Sequence, residues 1–178
     1  MLRALASAVL VVLAASAPAR AQSESLEAAI KATYLYKLAP FVEWPSGSFA
    51  SDGSPLNLCV IADPTFAGIL EQAVRDQRIG RRPFAVRALP APDPNGCHVA
   101  FLGTDPGPAL ATMRGVPVLT VTDETPDPTA KGIVNFVVRD NKVRFEIDDI
   151  AATESHLEIS SKVLSLAVSV RSRDRGAP

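Results

Sequence analysis

The chain has 178 residues, 47% of them hydrophobic, with 18 basic and 19 acidic side chains and a formal charge of −1. That length allows a core sufficient for one domain, and the mild acidity without a basic cluster argues against nucleic acid, which needs grouped Lys and Arg against phosphate. Two cysteines and two histidines exclude a disulfide-dense scaffold and leave little for a metal site.

The opening MLRALASAVLVVLAASAPARA reads as a secretory signal peptide: Arg3 precedes an apolar run from Leu5 to Ala17, and Ala19-Arg20-Ala21 has the small-x-small cleavage pattern. The run, roughly 13 residues, is short against the about 20 that span a bilayer, so an uncleaved anchor is the lesser alternative. Removing residues 1–21 leaves 178 − 21 = 157 residues and, without Arg3 and Arg20, a mature charge of 16 − 19 = −3. An exported protein starting at Gln22 is expected, with one domain over residues 22–170 and a disordered tail at 171–178. In an oxidising compartment Cys59 and Cys97 allow one intramolecular pairing. That disulfide would close a loop of about 39 residues, for roughly 4 kcal/mol of chain-entropy stabilisation. Two separately buried thiols are the alternative.

Leu26, Ile30, Tyr34 and Leu38 recur every fourth residue behind Ser23 and Ser25 as cap candidates, which predicts an amphipathic helix with that stripe inward. Pro40 should end its regular part, leaving Phe41, Val42 and Trp44 on an irregular turn closed by Pro45, with Tyr36 and Trp44 off the stripe and free for contact. Residues 46–55 are a loop by composition. A strand at 56–63, a helix over 65–77, a weaker strand at 82–90, a strand at 97–103, a short helix with Pro108 in its first turn and a strand at 116–123 follow. Strands alternating with helical segments imply parallel pairing.

Residues 132–148 then hold two strand-like runs around Asp140-Asn141, an antiparallel hairpin. Its first strand is apolar on nearly both faces; its second sorts Val143, Phe145 and Ile147 from Arg144, Glu146 and Asp148. Asp148 or Asp149 caps a short helix through Glu154, and SSKVLSLAVSV from Ser160 predicts a last helix with Val163, Leu164, Ala167 and Val168 inward. The expected fold class is α/β: a small three-layer sandwich, its central sheet mostly parallel, with a C-terminal β-hairpin and helices on both faces.

The chain lacks a Gly-x-Ser-x-Gly elbow, a phosphate-binding Gly-rich loop, a dinucleotide fingerprint and a His-Glu-x-x-His pair. His98 and His156 sit in different contexts, so no metal and no cofactor is expected. A hydrolase triad could be drawn from Ser160 or Ser161, His156 and Asp148 or Asp149, but hydroxyls and carboxylates at helix starts more simply serve as caps.

Taken in order, KATYLYKLAPFVEWP, LCVIADPTF, the Cys-His that opens a strand, VLTVTD, and NKVRFEID followed by LEISSKVLSLA resemble the YfiR family of periplasmic proteins, from about Glu27 to Ala167. The resemblance implies a non-enzymatic periplasmic regulator that binds the periplasmic sensor domain of an inner-membrane diguanylate cyclase and lowers cyclic-di-GMP output. It also implies a homodimer without direct membrane insertion, and supports a structural Cys59–Cys97 bond. A second cysteine pair of some relatives is replaced here by residues such as Ile133 and Asp140, so redox switching through it is not available. The expected partner face is the hairpin and last helix, with Arg144, Glu146 and Lys162 as orienting charges, and Tyr36 and Trp44 as further contact residues. The competing readings are a small-molecule-binding sensor working with another membrane receptor or a histidine kinase, and a secreted hydrolase.

Overall fold

The computed structural model describes residues 17–172 apart from 104 and 126. Residues 1–16, which carry most of the expected signal peptide, and residues 173–178 of the expected tail lie outside the described residues.

Short runs of three to six residues make the centre of the sheet: β2 (Leu56–Ile61), β5 (Val99–Phe101) and β6 (Leu119–Asp123) are almost wholly buried, the pattern of strands covered on both faces. Between them run α2 (Pro64–Val74), capped by the Asp63 carboxylate on Phe66 N–H, and α3 (Gly107–Met113). From β2 the chain passes through α2 to β4 (Arg82–Leu89) on one side, then returns to β5 on the other. A two-residue β3 (Arg78–Ile79) pairs back on the start of β4.

After β6 a single 3-10 turn leads directly to β7 (Val134–Arg139), which pairs parallel to β6. Gly132 makes that passage possible: a Cβ there would lie 2.8 Å from the Thr120 carbonyl oxygen. The expected hairpin follows, β7 against β8 (Lys142–Asp148), with Asp140 and Asn141 both at positive φ as a two-residue type I′ turn requires. The eight strands lie in the order β10-β8-β7-β6-β5-β2-β4-β3, parallel except at β7/β8 and β3/β4, where β10 is Ser169–Arg171. A separate antiparallel pair joins β1 (Val42–Glu43) to β9 (Glu158–Ile159), behind α4 (Asp149–Glu154). The sheet is the mostly parallel α/β arrangement that the alternation of elements predicts.

One face of the sheet, built from Leu58, Val60, Phe101, Val121, Phe136, Phe145 and their row-mates, packs on α1 (Ala17–Leu38) and α2 in one large apolar cluster. The opposite face has a smaller cluster under α3, with Met113 and Val118 around the Cys59–Cys97 disulfide, whose Cα atoms are 5.8 Å apart.

Two expectations need correction. On α1 the inward apolar residues are Ala32, Leu35 and Leu38, followed by Ala39 just past its end, while Leu26 and Ile30 are 61% and 37% exposed. At 3.6 residues per turn, each four-residue step advances about 40° past a full turn, so the stripe from Leu26 to Leu38 winds about 120° around the helix. Only its C-terminal end reaches the core; Phe41, on the turn that follows, is 38% exposed. The helix also runs through Ser23 and Ser25, so neither caps it.

The last helix is likewise one turn only, α5 (Ser161–Leu164), with Val163 buried but Val168 47% exposed. The chain then turns extended: Val168 N–H bonds Phe145 O and β10 joins β8 in parallel. An open edge on β8, and serines and β-branched residues that hold helix weakly, favour strand here. Arg171, first residue of the expected tail, is on that strand.

Candidate functional site

Three surfaces stand out. The first is the half of the second sheet face that α3 leaves uncovered, a recess of about 540 Å³ between α3 and α4. Strand alternation puts Glu146 and Asp148 of β8 on this face, and the pairing register sets Asn135 beside Glu146 and Arg171 beside Asp148. Glu146 Oε2 accepts from Lys131 Nζ at 2.7 Å and Asn135 Nδ2 at 3.3 Å, and Asn135 Oδ1 accepts from the Thr122 hydroxyl at 2.8 Å. Asp148 caps α4 through Ile150 and Ala151 N–H and takes Arg171 at 2.7 Å on its other oxygen. Ile133 and Val137, the apolar side chains that make β7 hydrophobic on both faces, are buried within the chain. That apolar excess is therefore not an exposed patch.

The second is a cavity of about 540 Å³ at the carboxyl ends of β2, β5 and β6, where the chain order reverses, the place at which open α/β sheets bind ligands. Lys31 reaches into it from α1 while only 7% exposed, bonded to Glu27 and, at 2.7 Å, to Asp123. Burial alone would lower its pKa, but the hydrogen bonds to Asp123 and Glu27 outweigh that and hold the ammonium above its ordinary 10.5. The nearby Asp63 is committed to capping α2.

The third is the outer side of α1, where Leu26, Ile30 and Tyr34 flank a shallow apolar groove with Lys37 at its end. Among the described residues, Phe41, Leu166 and Val168, 38%, 69% and 47% exposed, are the other large apolar side chains open to solvent.

The residues predicted for partner contact do not converge. Arg144 is exposed on β8, outside the recess; Glu146 lies inside it and is bonded; Lys162 is exposed on α5, whose Val163 packs into the α1-side core. Tyr36 packs edge-on against Phe84 at 5.8 Å. Trp44 donates its indole N–H to His98 O at 3.3 Å and packs edge-on against Phe49. Both off-stripe aromatics thus have partners within the fold. Ser160 Oγ accepts from Lys162 N–H and Asp148 caps α4, so both are engaged as helix caps, while His156 is exposed on the turn after α4. Among the described residues no group of three or more His, Cys, Asp or Glu is placed to hold a metal ion.

The α1 surface was missed because inward and outward sides were assigned from a four-residue repeat; following the 100° step per residue along α1 would have found it. The switch-point cavity has no local sequence signal, since Lys31 and Asp123 are 92 positions apart.

The molecule is a mostly parallel α/β sandwich stapled by one disulfide, with open surfaces on both sides of its sheet. The chain belongs to the YfiR/HmsC-like family, whose model matches residues 28–168. The family's proteins are periplasmic and are regulators rather than enzymes.

Proposed function

We propose that the mature chain, from Gln22, restrains an inner-membrane diguanylate cyclase by binding its periplasmic sensor domain in the inactive arrangement, more tightly than in the active one, and so lowers cyclic-di-GMP output. Family membership supports the regulatory class, and one observation supports a protein partner: Leu26 and Ile30 on the outer side of α1 are 61% and 37% exposed. Apolar side chains grouped on one helix side without cover mark an interaction surface. The contact therefore moves from the hairpin to α1. Arg144 and Lys162 serve as orienting charges, while Glu146 is held in its own network and Tyr36 and Trp44 pack within the fold. The regulator works as a homodimer and is not an enzyme.

Capture of a purified sensor domain tests the contact. Leu26→Asp with Ile30→Asp is expected to weaken capture by tenfold or more, about 1.4 kcal/mol, and Arg144→Glu by less. Undiminished capture by the folded double variant removes α1 from the contact. Unchanged cellular cyclic-di-GMP after deletion of the protein removes the regulatory reading itself.

A small-molecule sensor acting with another membrane receptor or a histidine kinase is the second reading, favoured by the cavity at the ends of β2, β5 and β6. A metabolite that raises the melting temperature of wild type but not of Lys31→Met would support it.

A further inference from the structure

His98, only 6% exposed, stands where three parts of the chain meet: the segment entering β5, the start of β2, and the loop 44–55. Its Nδ1 accepts from Asn57 N–H at 3.0 Å, which leaves the ring proton on Nε2 to be donated to Ser48 O at 2.9 Å. The ring stacks on Phe49 with centroids 4.3 Å apart and planes 7° apart, and the Arg82 guanidinium lies 3.7 Å from the same Phe49 centroid. Two groups that close to one ring take opposite faces, so Phe49 is clamped between an imidazole and a cation. Arg82 also donates to Ser51 O and Ser54 O, and Trp44 closes the cluster through its bond to His98 O. The loop is thus held by His98, Arg82 and Trp44, and only the histidine changes its charge near neutral pH.

We propose that His98 is the latch of an acid-sensitive switch: protonation at Nδ1 removes the acceptor for Asn57 N–H and releases loop 44–55 together with Trp44. An imidazolium carries a hydrogen on both nitrogens, so Nδ1–H would face the Asn57 N–H donor to donor, and the ring has to turn away, breaking its Nε2–H bond to Ser48 O and its stack on Phe49. The charged groups on the surrounding elements give the new charge no partner. Arg82 of β4 repels it; Arg87 of β4 is bonded to Asn95 O; Asp93 holds Asn95; Glu43 and Asp52 are exposed. Burial pushes the imidazole below its ordinary 6.5; the bond to Ser48 O opposes that and the Arg82 charge adds to it. A group with a depressed folded pKa stabilises fully above its unfolded value, here 6.5, and that stabilisation is lost as pH falls through the folded one. The latch is therefore shut in neutral surroundings and opens on acidification. Because the loop continues directly from β1, which holds β9, its release reaches the C-terminal third of the chain.

Trp44 is the single tryptophan and reports the event directly. Between about pH 8 and about pH 5 its fluorescence should pass through one reversible single-proton transition with a rise in acrylamide quenching, while far-UV circular dichroism holds steady. His98→Asn keeps an oxygen acceptor near the Nδ1 position and does not titrate in this range, so the transition should be lost; His156→Asn should leave it in place. A transition that survives His98→Asn, one that disappears with His156→Asn, or no transition in wild type overturns the proposal. Should His98→Asn not fold, ring NMR of the two histidines in wild type decides: His98 titrating while Trp44 and the amides of residues 46–54 stay unchanged also overturns it.

Discussion

The two faces of the central sheet are held by different physics. Toward α1 and α2 there is one continuous apolar cluster, in which Phe136 is fully buried and Tyr34 meets it at 6.1 Å and Phe145 at 5.6 Å. The other face divides into a small apolar cluster around the disulfide and a polar network of Thr122, Asn135, Glu146 and Lys131. The first face can tolerate an imprecise contact, because area removed from water is non-directional. The second cannot, because each buried donor needs its own acceptor. The larger apolar cluster lies on the first face, so the larger share of burial-driven stability resides there.

The largest break in this contrast should come from Phe136→Ala, which removes a fully buried ring from the apolar face and is expected to cost about 3–5 kcal/mol in urea unfolding. Replacing Cys59 and Cys97 together by Ser should cost about 2–4 kcal/mol, read as a lower denaturation midpoint that added reductant does not lower further. Asn135→Leu keeps the branched shape but leaves the Thr122 O–H without its acceptor and the inner side of Glu146 without its donor, for about 1–3 kcal/mol. A neutral result there would mean that the second face is packed rather than bonded. Smallest of all, Leu26→Asp on the outer side of α1 should change stability by no more than about 0.5 kcal/mol, so that any loss of partner capture is a loss of contact and not of fold.

The same division decides what could be read in advance. Buried strands such as LNLCVI and the Asp140-Asn141 hairpin are written locally, by apolar runs and by residues that tolerate positive φ, and they stand where expected. A cap of α4 at Asp148 or Asp149, of which the fold uses Asp148, and the Cys59–Cys97 bond were legible for the same reason: few residues could take either role. The end of the chain was not. SSKVLSLAVSV fits a helix by spacing, but the free edge of β8, far from it in sequence, takes residues 169–171 as a strand. The orientation of α1 depended on which side of the helix meets the sheet, a tertiary fact that a drifting four-residue stripe leaves open. The His98 cluster gathers Asn57, Ser48, Phe49 and Arg82 from three separate segments, and none of them carries a motif.

The disulfide also shapes how the molecule matures. Chains with four or six cysteines can trap themselves in wrong pairings and need thiol exchange to escape. Here Cys59 and Cys97 are the full complement, so one oxidation completes the job and there is no intramolecular mispairing to undo. A chain with one possible pairing needs an oxidant and no disulfide isomerase. Its yield should follow the oxidising capacity of its compartment and be indifferent to the enzymes that proofread cystines.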